Sequence, residues 1–391
     1  MDYLLNEKEV MVRDLCRQIA QEKIAPVAAE YDKLEKFPHE IMKILAQSDL
    51  FSIFVPSQYG GTLELSEGQS VGGVLGLCIA TEELSRACGG IAVCYAASAL
   101  GTFPIILFGT EEQKKKYLPD LASGKKLAAF GLTEPEAGSD ASAIKTTAKK
   151  EGNFYILNGT KHFITNGGEA ETYVIIAMTD KSKGARGASA FIVEKGTPGF
   201  SFGKKEDKMG IRASVTRELI FNDCKVPAEN LLAREGMGFI VTMKTFDLSR
   251  PGVAAQAVGI AQGALDVAVK YAKERHQFGK PISSFQGIQF MLADMATEVE
   301  AARALVYAVA RMVDSGHTNV SKESAMAKLF ASDVAMKVTT DAVQVLGGYG
   351  YMRDYPAEKY MRDAKITQIY EGTNQIQRNI IALQLIKEMA K

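Results

Sequence analysis

The chain of 391 residues has no tryptophan and few of the residues that build metal and disulfide sites. Its 5 cysteines are widely scattered and include no Cys-x-x-Cys pair, so neither a disulfide framework nor a zinc motif is indicated. The 4 histidines are equally dispersed, which disfavours a metal site and a Ser-His-Asp relay, although distant residues can meet in space. We therefore expect no metal and a reducing, cytoplasmic setting.

An excess of charge of either sign is also missing. The 46 basic and 46 acidic residues give a formal charge of zero, so we expect no bulk attraction to nucleic acid or to an anionic membrane surface. No uninterrupted apolar run reaches the roughly 18 residues of a membrane span, and no basic stretch precedes an apolar one at the N-terminus. The sequence thus predicts a soluble protein without a membrane span.

Two nucleotide-binding motifs are absent as well. No GxGxxG follows a predicted strand, and no GxxxxGKS/T occurs. Both motifs present backbone N–H groups to phosphates at a strand-to-helix turn, so a Rossmann domain and a P-loop are disfavoured.

What is present divides into three regions. Residues 1–124 carry apolar residues at three- and four-residue spacing, which predicts an N-terminal α-helical domain. Residues 125–233 carry short β-branched and aromatic runs between turn residues, which predicts a barrel-like or sandwich β domain. Residues 234–391 return to helical patterns rich in alanine and glycine, as in a four-helix bundle. The expected fold class is α+β, with the β domain between two helical ones.

One carboxylate, Glu371, lies at a predicted break in the C-terminal helices, in the stretch "KITQIYEGTNQIQRN". Gly372 releases the backbone, and Thr373 and Asn374 favour caps, so we expect a new helix to begin just after them. Composition alone favours a solvated glutamate at a helix start. The alternative is a carboxylate that projects into a cleft.

Seven segments in order along the chain resemble those of the acyl-CoA dehydrogenases, most closely the bacterial short-chain (butyryl-CoA type) members. They are "FGLTEPEAGSD", "LNGTKHFITNGG", "KMGIRAS", "FDLSRP", "ERHQFGKPISSFQ", "QVLGGYGY" and "MRDAKITQIYEGTNQIQRN". The resemblance implies an FAD-dependent enzyme of fatty-acid β-oxidation that converts an acyl-CoA to the trans-2-enoyl-CoA.

The resemblance implies that Glu371 is the catalytic base. In the family the matching glutamate abstracts the α proton of the thioester while the β hydride leaves for flavin N5, and burial raises the pKa of such a base. Some relatives carry the base at the position of Ser249, but serine cannot serve as that base. The chain therefore follows the arrangement with the base at Glu371.

The resemblance also implies the residues that hold FAD. Taken alone, "FGLTEPEAGSD" is most often a plain connection, and Arg275 an ordinary solvated helix end. Phe163 replaces a tryptophan found in many relatives, which keeps the apolar packing and loses the indole N–H. The implied FAD-binding residues are Phe130, Leu132, Thr133, Ser139, Phe163, Ile164, Thr165, Thr373 and Gln375, together with Arg275, Phe278, Gln286, Gln344, Gly347 and Gly348 toward the FAD of a neighbouring subunit.

Five residues are implied to border the acyl-CoA: Ser139, Asp247, Ser249, Arg250 and Gly372. By spacing alone, Asp247 and Arg250 form an ordinary ion pair on one helix face. The implied acyl pocket, in residues 88–105, contains no charged residue, which favours an uncharged tail. Tyr95 lies in this segment, and we expect it to shorten the pocket and to favour short chains.

The implied partners are the acyl-CoA substrate, an electron-transfer flavoprotein as electron acceptor, and further copies of the chain in a homotetramer. Three alternatives stay open: a branched or cyclic acyl-CoA as substrate, an acyl-CoA oxidase that passes electrons to oxygen, and a flavin- or CoA-binding module without catalysis.

Overall fold

A computed structural model describes residues 3–65 and 72–390; the remaining residues of the proposed N- and C-terminal domains lie outside the described part. The first region is helical, as predicted. Thr110 caps α6, because its hydroxyl accepts from the N–H of Gln113, whose side chain accepts from the N–H of Thr110 in return. Its helices are α1 (Glu7–Ile19), α2 (Ala28–Leu34), α3 (His39–Gln47), α4 (Val74–Ala87), α5 (Gly89–Phe108) and α6 (Glu111–Ala122).

The middle region forms one eight-stranded sheet with the path β6-β7-β3-β2-β4-β5-β8, and β1 pairs in parallel with β4. The strands are β1 (Ala128–Gly131), β2 (Thr147–Glu151), β3 (Phe154–Thr165), β4 (Thr172–Met178), β5 (Ala188–Glu194), β6 (Phe200–Lys205), β7 (Thr216–Pro227) and β8 (Leu231–Leu232).

An Asn-Gly pair commonly forms a tight turn, but Asn158 and Gly159 lie inside a strand. β3 runs through it as one strand, and the register against β7 shifts between Leu157 and Gly159. Gly159 has φ +144°, and a Cβ there would lie 2.5 Å from Thr146 Oγ1, so a larger residue would clash. The pair is a bulge inside a strand that ends at the candidate site.

The C-terminal region is a helical bundle. Helix α7 packs against α4, α5, α8, α9 and α10, while α11 packs against α9. A short hairpin of β9 (His276–Gln277) and β10 (Lys280–Pro281) follows α7. The helices are α7 (Gly238–Glu274), α8 (Gln286–Asp314), α9 (Ser321–Leu346), α10 (Ala357–Thr367) and α11 (Asn374–Met389).

Two core helices contradict the expectation that no segment is long and apolar enough to span a membrane. By length and composition, α5 and α7 both pass that test, and 78% of the most apolar window of each is buried in the protein. Their apolar surface meets other helices: α5 packs on α4 and α7, and α7 packs on α9. These two helices form the walls between which the candidate site lies.

Candidate active site

A cavity of about 370 Å³ lies between α5, the loop after β1, α7 and the turn before α11. Its walls are mainly apolar, and they come from all three regions of the chain. The structure brings the following predicted site residues to this cavity: Phe130, Leu132, Thr133, Ser139, Phe163, Ile164, Thr165, Ser249, Arg250, Glu371 and Gly372.

Glu371 reaches the cavity through an unusual backbone conformation. Helix α10 ends at Thr367, and α11 begins at Asn374, where the Thr373 hydroxyl caps it, as predicted. Between them Glu371 has φ +51° and Gly372 has φ +91°. A non-glycine residue in the left-handed region is uncommon and stores strain, and such residues concentrate at functional sites. The turn therefore places the carboxylate at the cavity wall.

The Glu371 carboxylate is half-buried and held by one hydroxyl. Ser249 Oγ donates to Glu371 Oε2 at 2.5 Å. Burial raises the pKa of Glu371, while the bond from Ser249 and the nearby charges of Arg250 and Lys328 oppose that rise. A carboxyl group with a raised pKa and a single side-chain hydrogen bond suits a proton acceptor.

The two carbonyl groups of this turn are held by side chains from three helices. Gln377 Nε2 donates to the carbonyl oxygens of Glu371 (3.1 Å) and Gly372 (2.9 Å). Arg250 Nε on α7 donates to the carbonyl of Glu371 at 3.3 Å. Lys328 Nζ on α9 donates to the carbonyl of Gly372 at 2.8 Å. The backbone of the turn is thus fixed while the carboxylate faces the cavity.

A buried ion pair supports the segment of the cavity wall that contains Leu132 and Thr133. Lys161 Nζ donates to the carbonyl of Leu132 (2.9 Å) and to Glu134 Oε1 (2.7 Å). Burial lowers the pKa of Lys161 to about 8, and Glu134 opposes that shift. Glu134 also accepts from the N–H groups of Lys145 and Thr146. The wall is therefore rigid where it meets the cavity.

The donor set fits a flavin. Phe163, with φ +59°, is 60% exposed and offers an apolar surface, and the hydroxyls of Thr133, Ser139 and Thr165 line the same cavity. A Cβ on Gly138 would have no heavy atom within 4 Å, so this loop leaves open space beside the hydroxyls.

A second cleft, of about 760 Å³, lies where the β9–β10 hairpin meets the C-terminal end of α9. It is lined by Arg275, Phe278, Gly347 and Gly348 among the predicted residues. The guanidinium carbon of Arg275 lies 5.4 Å from the ring centroid of Tyr349, and Phe278 is 92% exposed. Gln286 and Gln344 are exposed on the adjoining helices outside the cleft lining. Within one chain this cleft is separate from the Glu371 cavity.

Further predicted placements differ from the structure. Asp247 does not line the cavity and does not pair with Arg250: Ser321 Oγ donates to its carboxylate at 2.8 Å, and Lys244 lies 3.8 Å away. Gln375 is exposed on the first turn of α11, while Thr373 serves as its cap. The expectation that Tyr95 shortens the pocket is wrong, because its hydroxyl donates to the carbonyl of Leu50 and its ring packs on Phe51.

The sequence analysis missed Gln256, which lines the cavity with Tyr370. Gln256 Nε2 donates to the carbonyl of Gly89 at 3.0 Å, and the Tyr370 hydroxyl donates to Gln256 Oε1. One polar residue inside an alanine-rich helix is the signal that could have found it. One of the histidines, dispersed as they are in sequence, meets acidic residues in space: His162, Glu206 and Glu218 bring their ligand atoms within 4.8 Å of one another.

Comparison with known proteins matches this fold. The chain belongs to the acyl-CoA dehydrogenase family, because models of the family's N-terminal, middle and C-terminal domains match residues 6–125, 129–224 and 236–386. It is therefore a flavin-dependent oxidoreductase, and its cofactor is FAD.

Individual relatives span nearly the whole chain. A short-chain specific acyl-CoA dehydrogenase of Clostridium acetobutylicum is 50% identical, covering 99% of this chain and 100% of its own. The butyryl-CoA dehydrogenase structure from Megasphaera elsdenii is 49% identical with TM-score 0.95, covering 99% and 100%. A chain in a structure that describes the electron transferring flavoprotein of Acidaminococcus fermentans is 55% identical with TM-score 0.94, covering 98% and 99%.

Proposed function

We propose that the protein dehydrogenates a short, uncharged acyl-CoA at its α,β bond, with Glu371 as the base. The observation that carries this proposal is the half-buried Glu371 carboxylate, which a left-handed turn directs into an apolar cavity. Removal of the weakly acidic α proton needs such a base at contact distance from the thioester. The relatives named for short-chain and butyryl-CoA substrates support the choice of acyl group.

Different residues of the chain hold the cofactor and position the base. Bound FAD supplies the acceptor for the β hydride. Leu132, Thr133, Ser139 and Thr165 would hold the flavin, and Phe163 would cover its apolar surface. Ser249 holds the Glu371 carboxylate through a single hydrogen bond, which orients the oxygen before it accepts the α proton. The walls around the base are mainly apolar, so they offer it few polar groups in place of water.

The cavity walls favour a short apolar tail. Leu77, Val93, Leu100 and Phe103 line it, and α5 contains no charged residue to hold a second carboxylate. Gln256 lies two helical turns beyond Ser249 on α7, a distance of roughly 10 Å at 1.5 Å per residue. Because Gln256 is fixed by Gly89 and Tyr370, we infer that it limits the depth of the tail.

An anaerobic panel of acyl-CoA thioesters tests the proposal. Butyryl-CoA should bleach the flavin faster than octanoyl-, isovaleryl-, cyclohexanoyl- or glutaryl-CoA. A branched or cyclic thioester that bleaches it fastest would correct the substrate. Rapid reoxidation by air would indicate an oxidase, and no bleaching with any thioester would leave only a binding module.

Partners and setting are also part of the proposal. We infer an electron-transfer flavoprotein as electron acceptor, which the match to the Acidaminococcus structure supports. A homotetramer is supported by the open cleft at Arg275 and the exposed Phe278. A cytoplasmic role in β-oxidation agrees with 5 free, buried cysteines. The domain division 1–124, 125–233 and 234–391 completes the proposal.

Gln256→Ala should deepen the pocket. The ratio of kcat/KM for octanoyl-CoA to that for butyryl-CoA should rise about tenfold or more, because the space left by the glutamine side chain can hold additional methylene groups of the octanoyl tail. Gln262→Ala makes the same chemical change on the same helix, where Gln262 contacts Arg303 and Asp266 instead of the cavity, and should leave the ratio unchanged. An unchanged ratio for Gln256→Ala would show that another residue sets the depth.

Arg275→Ala should weaken FAD retention and tetramer stability together, because a forked cation suited to pyrophosphate is lost from a cleft open to a neighbouring subunit. Gel filtration with absorbance at the flavin band measures both quantities. The exposed Arg234 offers a control as Arg234→Ala. A fully flavinated tetramer would contradict the assignment of Arg275 to a shared FAD site.

A further inference from the structure

Among the lysines that the structure describes, three are almost or wholly buried, and one of them differs from the others. Lys161 lies 2.7 Å from Glu134, and Lys359 lies 2.5 Å from Asp363. Lys328 on α9 is 0% exposed, and within residues 3–65 and 72–390 it forms no ion pair with a carboxylate. Burial of a cation without a counter-ion is expensive, so its retention calls for a reason.

The partners of Lys328 belong to the turn that carries Glu371. Its Nζ donates to the carbonyl of Gly372 at 2.8 Å and to Asn374 Oδ1 at 2.9 Å. One bond thus holds the second left-handed residue, Gly372, and the other holds the first residue of α11, Asn374. Because a left-handed glutamate is strained, the turn persists only where its surroundings fix it.

The charges around Lys328 include the Glu371 carboxylate. Burial lowers the pKa of Lys328 to about 7, and the charge of Glu371 opposes that shift most. Arg250 lowers the pKa of Lys328, and Asp333 raises it. Two further charged residues lie on the neighbouring helices. They are Asp247 on α7 and Arg378 on α11, which pairs with Asp333. In return, the ammonium lowers the pKa of Glu371. Lys328 therefore favours the ionised form of Glu371.

We propose that Lys328 is a positioning residue for Glu371: it fixes the left-handed turn through Gly372 and Asn374 and keeps the carboxylate ionised while it waits for the α proton. This inference rests on the proposed role of Glu371 as base. Lys328 does not need to contact the substrate, because it acts through the turn.

Lys328→Met removes the charge and both hydrogen bonds at similar length. The kcat for flavin reduction by butyryl-CoA should fall about tenfold to a hundredfold with KM little changed, as expected when hydrogen bonds from a charged group to the turn are lost. The acid limb of the pH profile should move to higher pH. Lys337→Met, on the exposed face of the same helix, is the control and should match wild type.

Infrared titration of the Glu371 carboxyl band, assigned by its loss in Glu371→Gln, gives a readout independent of turnover. It should show the same upward movement of the Glu371 titration in Lys328→Met. Lys328→Gln, which keeps a donor but no charge, should move the titration while retaining more of kcat, and it provides a second folded variant.

Unchanged titration and unchanged kcat in both variants would overturn the inference, and so would loss of folding in both. A wild-type enzyme that no thioester reduces would refute the proposed function instead. In that case, a moved infrared titration would still link Lys328 to Glu371.

Discussion

Glu371→Gln should retain FAD and bind butyryl-CoA, yet reduce its flavin about 10²- to 10⁴-fold more slowly than wild type, the range typical of a lost general base. The amide has nearly the same shape as the carboxylate, so the turn and the bond from Ser249 can persist. Stopped-flow absorbance at the flavin band measures the rate. A near-normal rate of flavin reduction would show that Glu371 is not the base.

Wild-type reduction should also depend on pH in a defined direction. Glu371 must be ionised to accept a proton, and burial raises its pKa above the ordinary value of 4.5. The rate should therefore fall as pH decreases through this raised pKa, at a higher pH than for an exposed glutamate. The limb should disappear in Glu371→Gln, whose residual rate carries no such group.

Glu134→Gln should destabilise the protein by about 3–5 kcal/mol, because it leaves the buried Lys161 without its counter-ion. Equilibrium denaturation measures the free energy of unfolding, and FAD retention should fall with it, since Lys161 also holds the carbonyl of Leu132. Without Glu134 the pKa of Lys161 falls below its present value of about 8.

The unfolded chain then binds more protons than the folded one, so the stability of the variant should recover as pH rises. Glu136→Gln removes an exposed partner of Lys145 in the same loop and should change stability little. Equal losses in Glu134→Gln and Glu136→Gln would show that the buried pair contributes no more than the exposed one.

Local signals predicted much of the fold. The break before Asn374 sets a helix start through neighbours within three or four residues, and the structure has that start. The order helix, sheet, helix followed from periodicity for the same reason. Resemblance then predicted Glu371 and ten further residues of the cavity wall.

The rest depended on contacts between distant residues. Lys161 and Glu134 are 27 residues apart, and Lys328 and Gly372 are 44 apart, so no spacing rule indicated either contact. The same holds for Tyr95, whose direction is set by Leu50 and Phe51. Left-handed Glu371 is stabilised by three helices, and a local rule would have assigned that conformation to Gly372 alone.

The burial of α5 also has a consequence for biosynthesis. This helix is apolar on every side, and α7, one of its main covers, begins about 130 residues after it, which ribosomes need roughly 6 to 26 s to add at 5–20 residues per second. During that interval α5, which is long and apolar enough to span a membrane, lacks the helix that buries part of its surface. Nascent chains should therefore depend on chaperones, and truncation before α7 should yield aggregates.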